Sequence, residues 1–266
     1  MSEYNLDTFY FYTIDKYHHL FSNLLVTTLN YDIYKCHQDY ILIEFPYVER
    51  MYYKVYKKLS TLMIEQLNKI FKSECKSEYF FKLSNRSPKD ILENNPELKI
   101  LDDDHRTIKT EKKIKQLEIL KVKKPEDITR LLNLSKRCQE DIDLYNKDPT
   151  KRLYFVFAKW RANLGKSTEY RCFIKKNKLV GICLYKPEYY STRSIIPVEV
   201  IHHFIKQMIQ IFKKINLERY VLDCFIYHDD PFKVYFIEIN PFEEYIDTFS
   251  FDYDEINSTE NLIITL

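Results

Sequence analysis

Hydrophobic positions change their period along this chain, and each change marks an element. After Pro46, a proline suited to opening a helix, Val48, Met51, Tyr52, Val55, Leu59, Leu62, Met63, Leu67 and Ile70 recur every three to four residues. That spacing predicts one long amphipathic helix from Tyr47 to Phe71. Its stripe is assigned to a core, the alternative being a partner groove. Tyr79 to Leu83 is short, apolar and aromatic, hence a strand, and the polar run from Ser84 to Asp90 ends it before Ile91 and Leu92 open a helical turn. Ile128 to Leu134 suits either a strand or a helix, with helical spacing continuing toward Leu144.

Downstream the pattern sharpens. Leu153 to Ala158 reads as a buried strand, and Tyr170 to Ile174 with Leu179 to Tyr185 form a hairpin around Lys176-Asn177-Lys178. Pro197 opens a helix with Val198, Ile201, Ile205, Met208, Phe212 and Ile215 along one side, and Tyr220 to Tyr227 and Val234 to Ile239 are two further strands. The first 45 residues alternate aromatic and polar groups without a clear period and read as short elements. The class is therefore α/β (α+β), with an N-terminal helical or mixed region over 1–75, a smaller lobe over 76–152 and a C-terminal lobe over 153–266.

Composition mainly excludes. A length of 266 residues permits one large domain or two lobes. Lys and Arg number 41 against 39 Asp and Glu, so no global field draws nucleic acid. Arg106 to Lys124 is locally basic, either a solvated face or a surface for phosphate or an acidic partner, whereas the chain after Glu238 is mainly acidic. No run approaches the roughly 18 to 20 apolar residues of a membrane span, and the N-terminus lacks the order of a secretory signal, so a cytoplasmic location without membrane attachment is expected. Six scattered cysteines contain no C-x-x-C pair and are expected to be reduced packing residues. With only two glycines, Gly165 and Gly181, a G-x-G-x-x-G loop is impossible, and Gly165-Lys166-Ser167 fails as a P-loop because Trp160 stands where its first glycine belongs.

Candidate chemistry lies in the last strands. Glu238 and Asn240 share a strand face, which Phe236 and Val234 continue. Pairing Tyr227 with Val234 across the turn places Asp223 opposite Glu238. Two carboxylates facing each other in apolar strands repel and lose hydration. Magnesium would relieve both costs, because it takes oxygen ligands and commonly joins one or two carboxylates to phosphates. Asn240 adds a neutral oxygen; the plain alternative is that the acids are solvated at strand ends or pair with lysines. Glu169 and Arg171 also share a face, forming either a structural ion pair or a phosphate-binding fork that Glu169 orients. Lys82, ending its aromatic strand, offers a point charge to a phosphate.

Taken in order, these segments resemble the cell-division-cycle-123 family. Phe80-Phe81-Lys82-Leu83 and Ser87-Pro88-Lys89-Asp90 are similar to its Lys-Leu and Ser-Pro-basic-Asp elements. Lys159-Trp160, Glu169-Tyr170-Arg171-Cys172-Phe173 and Leu179-Val180-Gly181-Ile182 resemble its central segments. Tyr220-Val221-Leu222-Asp223 and Ile237-Glu238-Ile239-Asn240-Pro241-Phe242 resemble its last strands, with Asp247-Thr248 and the aromatic stretch Phe249 to Tyr253 following.

The resemblance implies an ATP-grasp-like fold of two lobes with a nucleotide cleft between them, and ATP and Mg2+ as cofactors. It maps Lys82 and Arg171, with Lys89 as a further residue, to phosphate, Lys159 and Trp160 to the adenine-side hinge, and Asp223, Glu238 and Asn240 to magnesium. The implied role is a monomeric assembly chaperone for the gamma subunit of eukaryotic translation initiation factor 2. The rival is an ATP-grasp ligase acting on a carboxylate or an RNA end, although no side chain presents itself as a nucleophile or general base. Two positions depart from the family pattern. Glu238 replaces the usual aspartate, and Asn133 in Leu132-Asn133-Leu134-Ser135 replaces a basic residue, which would remove one phosphate contact.

Overall fold

A computed structural model describes residues 40–73, 78–93, 114–116, 118–160, 167–185, 198–244 and 246–265. They fall into two compact units, built on residues 39–162 and 163–266. Most of the short elements expected before residue 45 lie outside the described residues. Among those described, no helix is long and apolar enough to cross a membrane.

The first unit contains β1 (Tyr40–Glu44), α1 (Tyr47–Tyr56), α2 (Thr61–Ser73), β2 (Tyr79–Leu83), β3 (Lys121–Val122), α3 (Pro125–Leu134), α4 (Lys136–Asn146) and β4 (Tyr154–Lys159). Its strands form an antiparallel sheet in the order β1-β4-β2-β3. Alternation sends Tyr79, Phe81 and Leu83 of β2 and Phe155 and Phe157 of β4 to one face, where Phe45 and Phe71 join them. Ring centroids there lie 4.4 to 6.0 Å apart in tilted or edge-on pairs. Each such buried side chain is worth about 1.5–3 kcal/mol of transfer free energy, so this aromatic layer is the unit's principal cohesive element. Because β4 is bonded on one side to β1 and on the other to β2, it belongs to the first unit.

The long helix expected from Tyr47 to Phe71 is two helices. Lys57 adopts a left-handed conformation (φ 52°) with its N–H on the Tyr53 carbonyl, which stops α1. Ser60 then caps α2 by accepting from the Met63 N–H at 3.2 Å, with its own hydroxyl on Glu49 at 2.7 Å. The break shifts the helical phase: Leu59, Met63 and Leu67 are buried, whereas Val48, Val55 and Leu62 are exposed. Ile128 to Leu134, open between two readings, is helical, with Pro125 at its first position and Ile128, Leu131 and Leu132 turned inward. Ser135 separates α3 from α4 and caps the latter, accepting from Cys138 N while donating to Asp90 at 2.6 Å; the second Asp90 oxygen accepts from Arg137 N at 3.1 Å. A carboxylate at a helix start is favoured by capping and by the helix dipole, which gives Asp90 a structural role in the Ser-Pro-basic-Asp element.

The second unit contains β5 (Ser167–Lys175), β6 (Lys178–Leu184), α5 (Val198–Phe212), β7 (Tyr220–Tyr227), β8 (Asp230–Asn240), α6 (Tyr253–Ser258) and β9 (Ile263–Thr265). The sheet order is β8-β7-β5-β6-β9. The expected hairpin is present, with Lys176 and Asn177 both at positive φ, the geometry that matches strand twist in a two-residue turn. Phe212 of α5 covers one face, packing 5.1 Å from Tyr220 and 6.3 Å from Phe236. The opposite face receives the chain's end, where Phe242, Phe251 and Ile256 pack on Phe173, Val180 and Val221. Cys138, Cys172, Cys183 and Cys224 are buried and free; burial pushes the Cys138 and Cys183 thiols up to about 12, consistent with packing roles.

Gly181 permits this close approach. A Cβ there would lie 2.4 Å from Ile256 Cδ1 and 3.3 Å from carbons of Phe173 and Phe251. Gly181→Ala is expected to destabilise the chain by about 1–3 kcal/mol through overpacking, measured as a lowered urea midpoint with unchanged slope.

Candidate functional site

Strand pairing aligns Arg171 of β5, Asp223 of β7 and Glu238 of β8 in one row across the second sheet, with Asn240 two residues beyond Glu238. The opposition of Asp223 and Glu238 is as expected from sequence, but it arises differently. Val234 faces Ile226, not Tyr227, and the ladder slips between Asp223 and Cys224, leaving Ile237 as an extra residue. That bulge restores the carboxylate pairing and resets the alternation. Tyr235 therefore stacks on Phe225 at 5.0 Å, while Phe236 turns toward Phe212 of α5. Tyr235 and Ile237, not Val234 and Phe236, continue the face of Glu238, and with Phe225 and Tyr227 they form an aromatic cluster beside it.

Arg171 and Asp223 are both buried, at 5% and 2% exposure. Nε and Nη2 of Arg171 each donate to a different Asp223 oxygen at 2.8 Å, a bidentate pair. Asn240 Nδ2 donates to Asp223 at 3.1 Å, and Arg171 Nη1 donates to the Asp247 carbonyl at 2.6 Å. Tyr185 and Phe249 meet edge-on with centroids 4.8 Å apart, and the guanidinium lies beside this pair with its carbon 4.9 Å from each centroid. Burial alone would lower the Arg171 pKa, but the Asp223 charge and hydrogen bonds override it and raise the pKa, so the guanidinium stays ionised. Phe249 has φ 53°, unusual for a bulky residue; its N–H on Asp247 Oδ1 and its ring against Arg171 sustain that turn.

Of the two sequence readings of Arg171, its ion-pair partner is Asp223, across the strand, whereas Glu169 shares its face two residues away opposite Phe225. Much of the carboxylate repulsion that pointed to a cation is thus met by a guanidinium. The remaining donor set is all oxygen. With Nδ2 on Asp223, the Asn240 amide turns Oδ1 away from that carboxylate, and half-buried Glu238 stands in the same row. Hard oxygens of this kind suit a hard divalent cation. Among the described residues no group of three or more His, Cys, Asp or Glu side chains is gathered as a metal site.

The other sequence candidates belong to the first unit. Lys82 is buried on β2 opposite Val156, on the face away from the aromatic layer, and Lys89 opens the short helical turn Lys89–Leu92. Lys159 ends β4 exposed, and Trp160 follows with its N–H on the Glu78 carbonyl at 2.7 Å. Lys121 lies 4.4 Å over the Trp160 ring and pairs with Glu78 and Glu118. Hydrogen bonds from Lys123 and Lys121 hold the Glu78 carboxyl below its ordinary range. This part of the basic stretch is therefore internally paired. Asn133 is used locally, accepting from Tyr53 at 2.8 Å and donating to the Lys57 carbonyl at 2.9 Å, which ties down the break after α1. Sequence reasoning missed Tyr185, the Asp247 carbonyl and Lys121; Asp247 and Phe249 stood out only within the segment carrying the family resemblance.

Residues 74–263 match the D123 family. The chain belongs to the D123 family. Relatives include the protein named translation initiation factor eIF2 assembly protein from Danio rerio, 32% identical over 130 residues, which are 47% of this chain and 34% of the relative. Its counterpart of the same name from Xenopus tropicalis is 33% identical over 129 residues, 47% of this chain and 36% of that protein. The matched segment thus spans about a third of the length of these curated D123 relatives. Among solved structures, Cdc123 from Schizosaccharomyces pombe superposes with a TM-score of 0.68 over 97% of this chain and 96% of that one, at 18% identity. The mixed α/β fold with two sheets is accordingly shared with Cdc123.

Arg171→Met leaves a buried carboxylate unpaired and is expected to cost about 3–5 kcal/mol at pH 7, whereas Arg171→Met combined with Asp223→Leu should recover much of that loss. Urea unfolding of both variants decides it, and a double variant no more stable than the single one contradicts the assignment.

Proposed function

We propose that this D123 family chain binds ATP and Mg2+ in an ATP-grasp-like cleft between two lobes and acts in assembly of translation initiation factor 2, with the gamma subunit as its partner. The observation carrying this reading is the row Arg171, Asp223, Glu238 with Asn240, which falls within the family-matched segment and offers oxygen donors on a rigid sheet. The shared name of the curated relatives supports the assembly role.

Under this reading Glu238 and Asn240 supply the more accessible magnesium ligands, and Asp223 supplies a ligand whose orientation is fixed by Arg171. When bound, magnesium neutralises phosphate charge and organises the triphosphate. The Arg171 fork is committed to Asp223 and the Asp247 carbonyl, so its principal contribution is to hold the carboxylate. Lys82 and Lys89 then carry the cationic phosphate contacts of the other lobe, Glu169 borders the same row, and Lys159 with Trp160 flanks the base. Glu238 retains the carboxylate of the usual aspartate on a longer stem, which half-burial beside a bulge accommodates. The exchange of a basic residue for Asn133 removes a charge while stabilising the turn at Lys57.

Glu238→Gln tests the cation while removing none of the hydrogen bonds between Arg171 and Asp223. Calorimetric titration of ATP with and without magnesium is expected to show the magnesium-dependent gain in affinity reduced at least about tenfold, a 1.4 kcal/mol loss. An unchanged magnesium increment would remove Glu238 from the ligand set. ADP or AMP release dependent on a carboxylate or RNA substrate would instead favour a ligase.

A further inference from the structure

The helix α1 is mounted with its apolar stripe outward. Its buried positions are Arg50 and Tyr53, each 1% exposed. Arg50 is a strut, donating to Asn146 Oδ1 at 3.0 Å and to the carbonyls of Phe45 at 2.8 Å and Tyr145 at 3.3 Å. Tyr53 reaches Asn133. These bonds fix the rotation of α1 about its axis and leave Val48, Met51, Val55 and Tyr56 exposed at 75%, 38%, 69% and 58%. Tyr52 completes the stripe, its ring 4.6 Å from that of Tyr56, and Leu62 at the start of α2 is 62% exposed. Positions 48, 51, 52, 55 and 56 follow the i, i+3, i+4, i+7, i+8 rule that normally marks a core-facing side. A contiguous apolar patch of that pattern on a surface marks an interaction site more often than chance exposure.

The rim identifies the occupant by charge. Lys54, Lys57 and Lys58 are exposed beside the stripe, with Lys54 on Asp143 at 2.7 Å and Lys57 near Gln139 Oε1 at 3.4 Å. The Glu49 carboxylate is engaged by the Ser60 hydroxyl. A small groove of about 140 Å³ opens between α1 and α4, lined by Tyr53, Lys54, Lys57, Gln139, Ile142 and Asp143. From these features we infer that the outward side of α1 is the docking surface for a protein segment that is apolar along one side and acidic at its margin, contributed by the assembly partner. The inference rests on the proposed function for the partner's identity and is independent of the nucleotide site. The five stripe positions span about 12 Å at 1.5 Å per residue, a length that suits one helix or strand laid across α1. The lysines add steering and register to contacts whose affinity is apolar.

The full chain, Val48→Glu/Val55→Gln and Lys58→Glu are compared for binding to purified gamma subunit of translation initiation factor 2 by biolayer interferometry, with ATP and magnesium present. The double variant is expected to bind at least about tenfold more weakly with its Tm within about 2 °C of the parent, as for surface substitutions. Lys58→Glu should slow association and reduce its salt dependence. Unaltered binding by the double variant overturns the docking surface while leaving the assembly role standing. Failure of the parent itself to bind overturns both. A fall in the double variant's Tm of more than about 5 °C means that the chain's own residues cover the stripe. Light scattering that shows a dimer abolished by the same substitutions assigns the stripe to a second copy, and either result sinks the proposal.

Discussion

The Arg171–Asp223 pair governs the second unit. Its members are deeply buried on adjacent central strands, where an isolated charge of either sign would be strongly destabilising. Pairing makes the arrangement tolerable, and the remaining contacts turn that compensation into organisation. Asn240 draws β8 into the same network, the Asp247 carbonyl brings the chain beyond the sheet to Arg171, and Tyr185 and Phe249 lie beside the guanidinium. A buried ion pair is weak support for stability in itself, because an apolar pair of similar volume often serves as well. Its presence here is better explained by what it orients, which is one carboxylate and one amide at fixed positions next to Glu238.

The β8 bulge is the second constraint. Were β8 regular through Ile237, the pairing of Ile226 with Val234 would put Asp223 opposite Ile237 and send Glu238 to the helix-covered face, where its charge would have no compensation. With the bulge, the aromatic cluster of Phe225, Tyr227 and Tyr235 and the polar row share one face. One residue therefore decides whether the strand presents an apolar wall or a mixed site.

How much of this was legible depends on what each signal measures. The strands Tyr79–Leu83 and Tyr220–Tyr227 and the hairpin at Lys176–Asn177 were readable, because period and turn chemistry are local properties. Asp223 opposite Glu238 was readable in outcome but not in cause: two errors, a turn register off by one and an unseen bulge, cancel. The Asp223 partner was not readable, since Arg171 lies 52 residues away in sequence and its pairing depends on β5 lying beside β7. Likewise Asn133, treated as a lost charge, serves as a clamp on Lys57, a role visible only once the helix is known to break there. Which sheet β4 joins was likewise not readable, because a strand's sequence does not state its neighbours.

Periodicity finds a helix's two sides without saying which one faces the core. In α2 the apolar side is inward, through Met63 and Leu67, and burial of methyl and thioether groups holds it there. In α1, one short turn earlier, Arg50 and Tyr53 are inward and polar bonds replace hydrophobic transfer as the fixing interaction. That exchange carries a cost, because burying a guanidinium lowers its pKa and requires carbonyl partners, which Phe45, Tyr145 and Lys151 supply. A chain that accepts such a cost while leaving two valines, a methionine and a tyrosine in water is not minimising its own free energy at that surface. The missing compensation is most simply supplied by contact with another molecule.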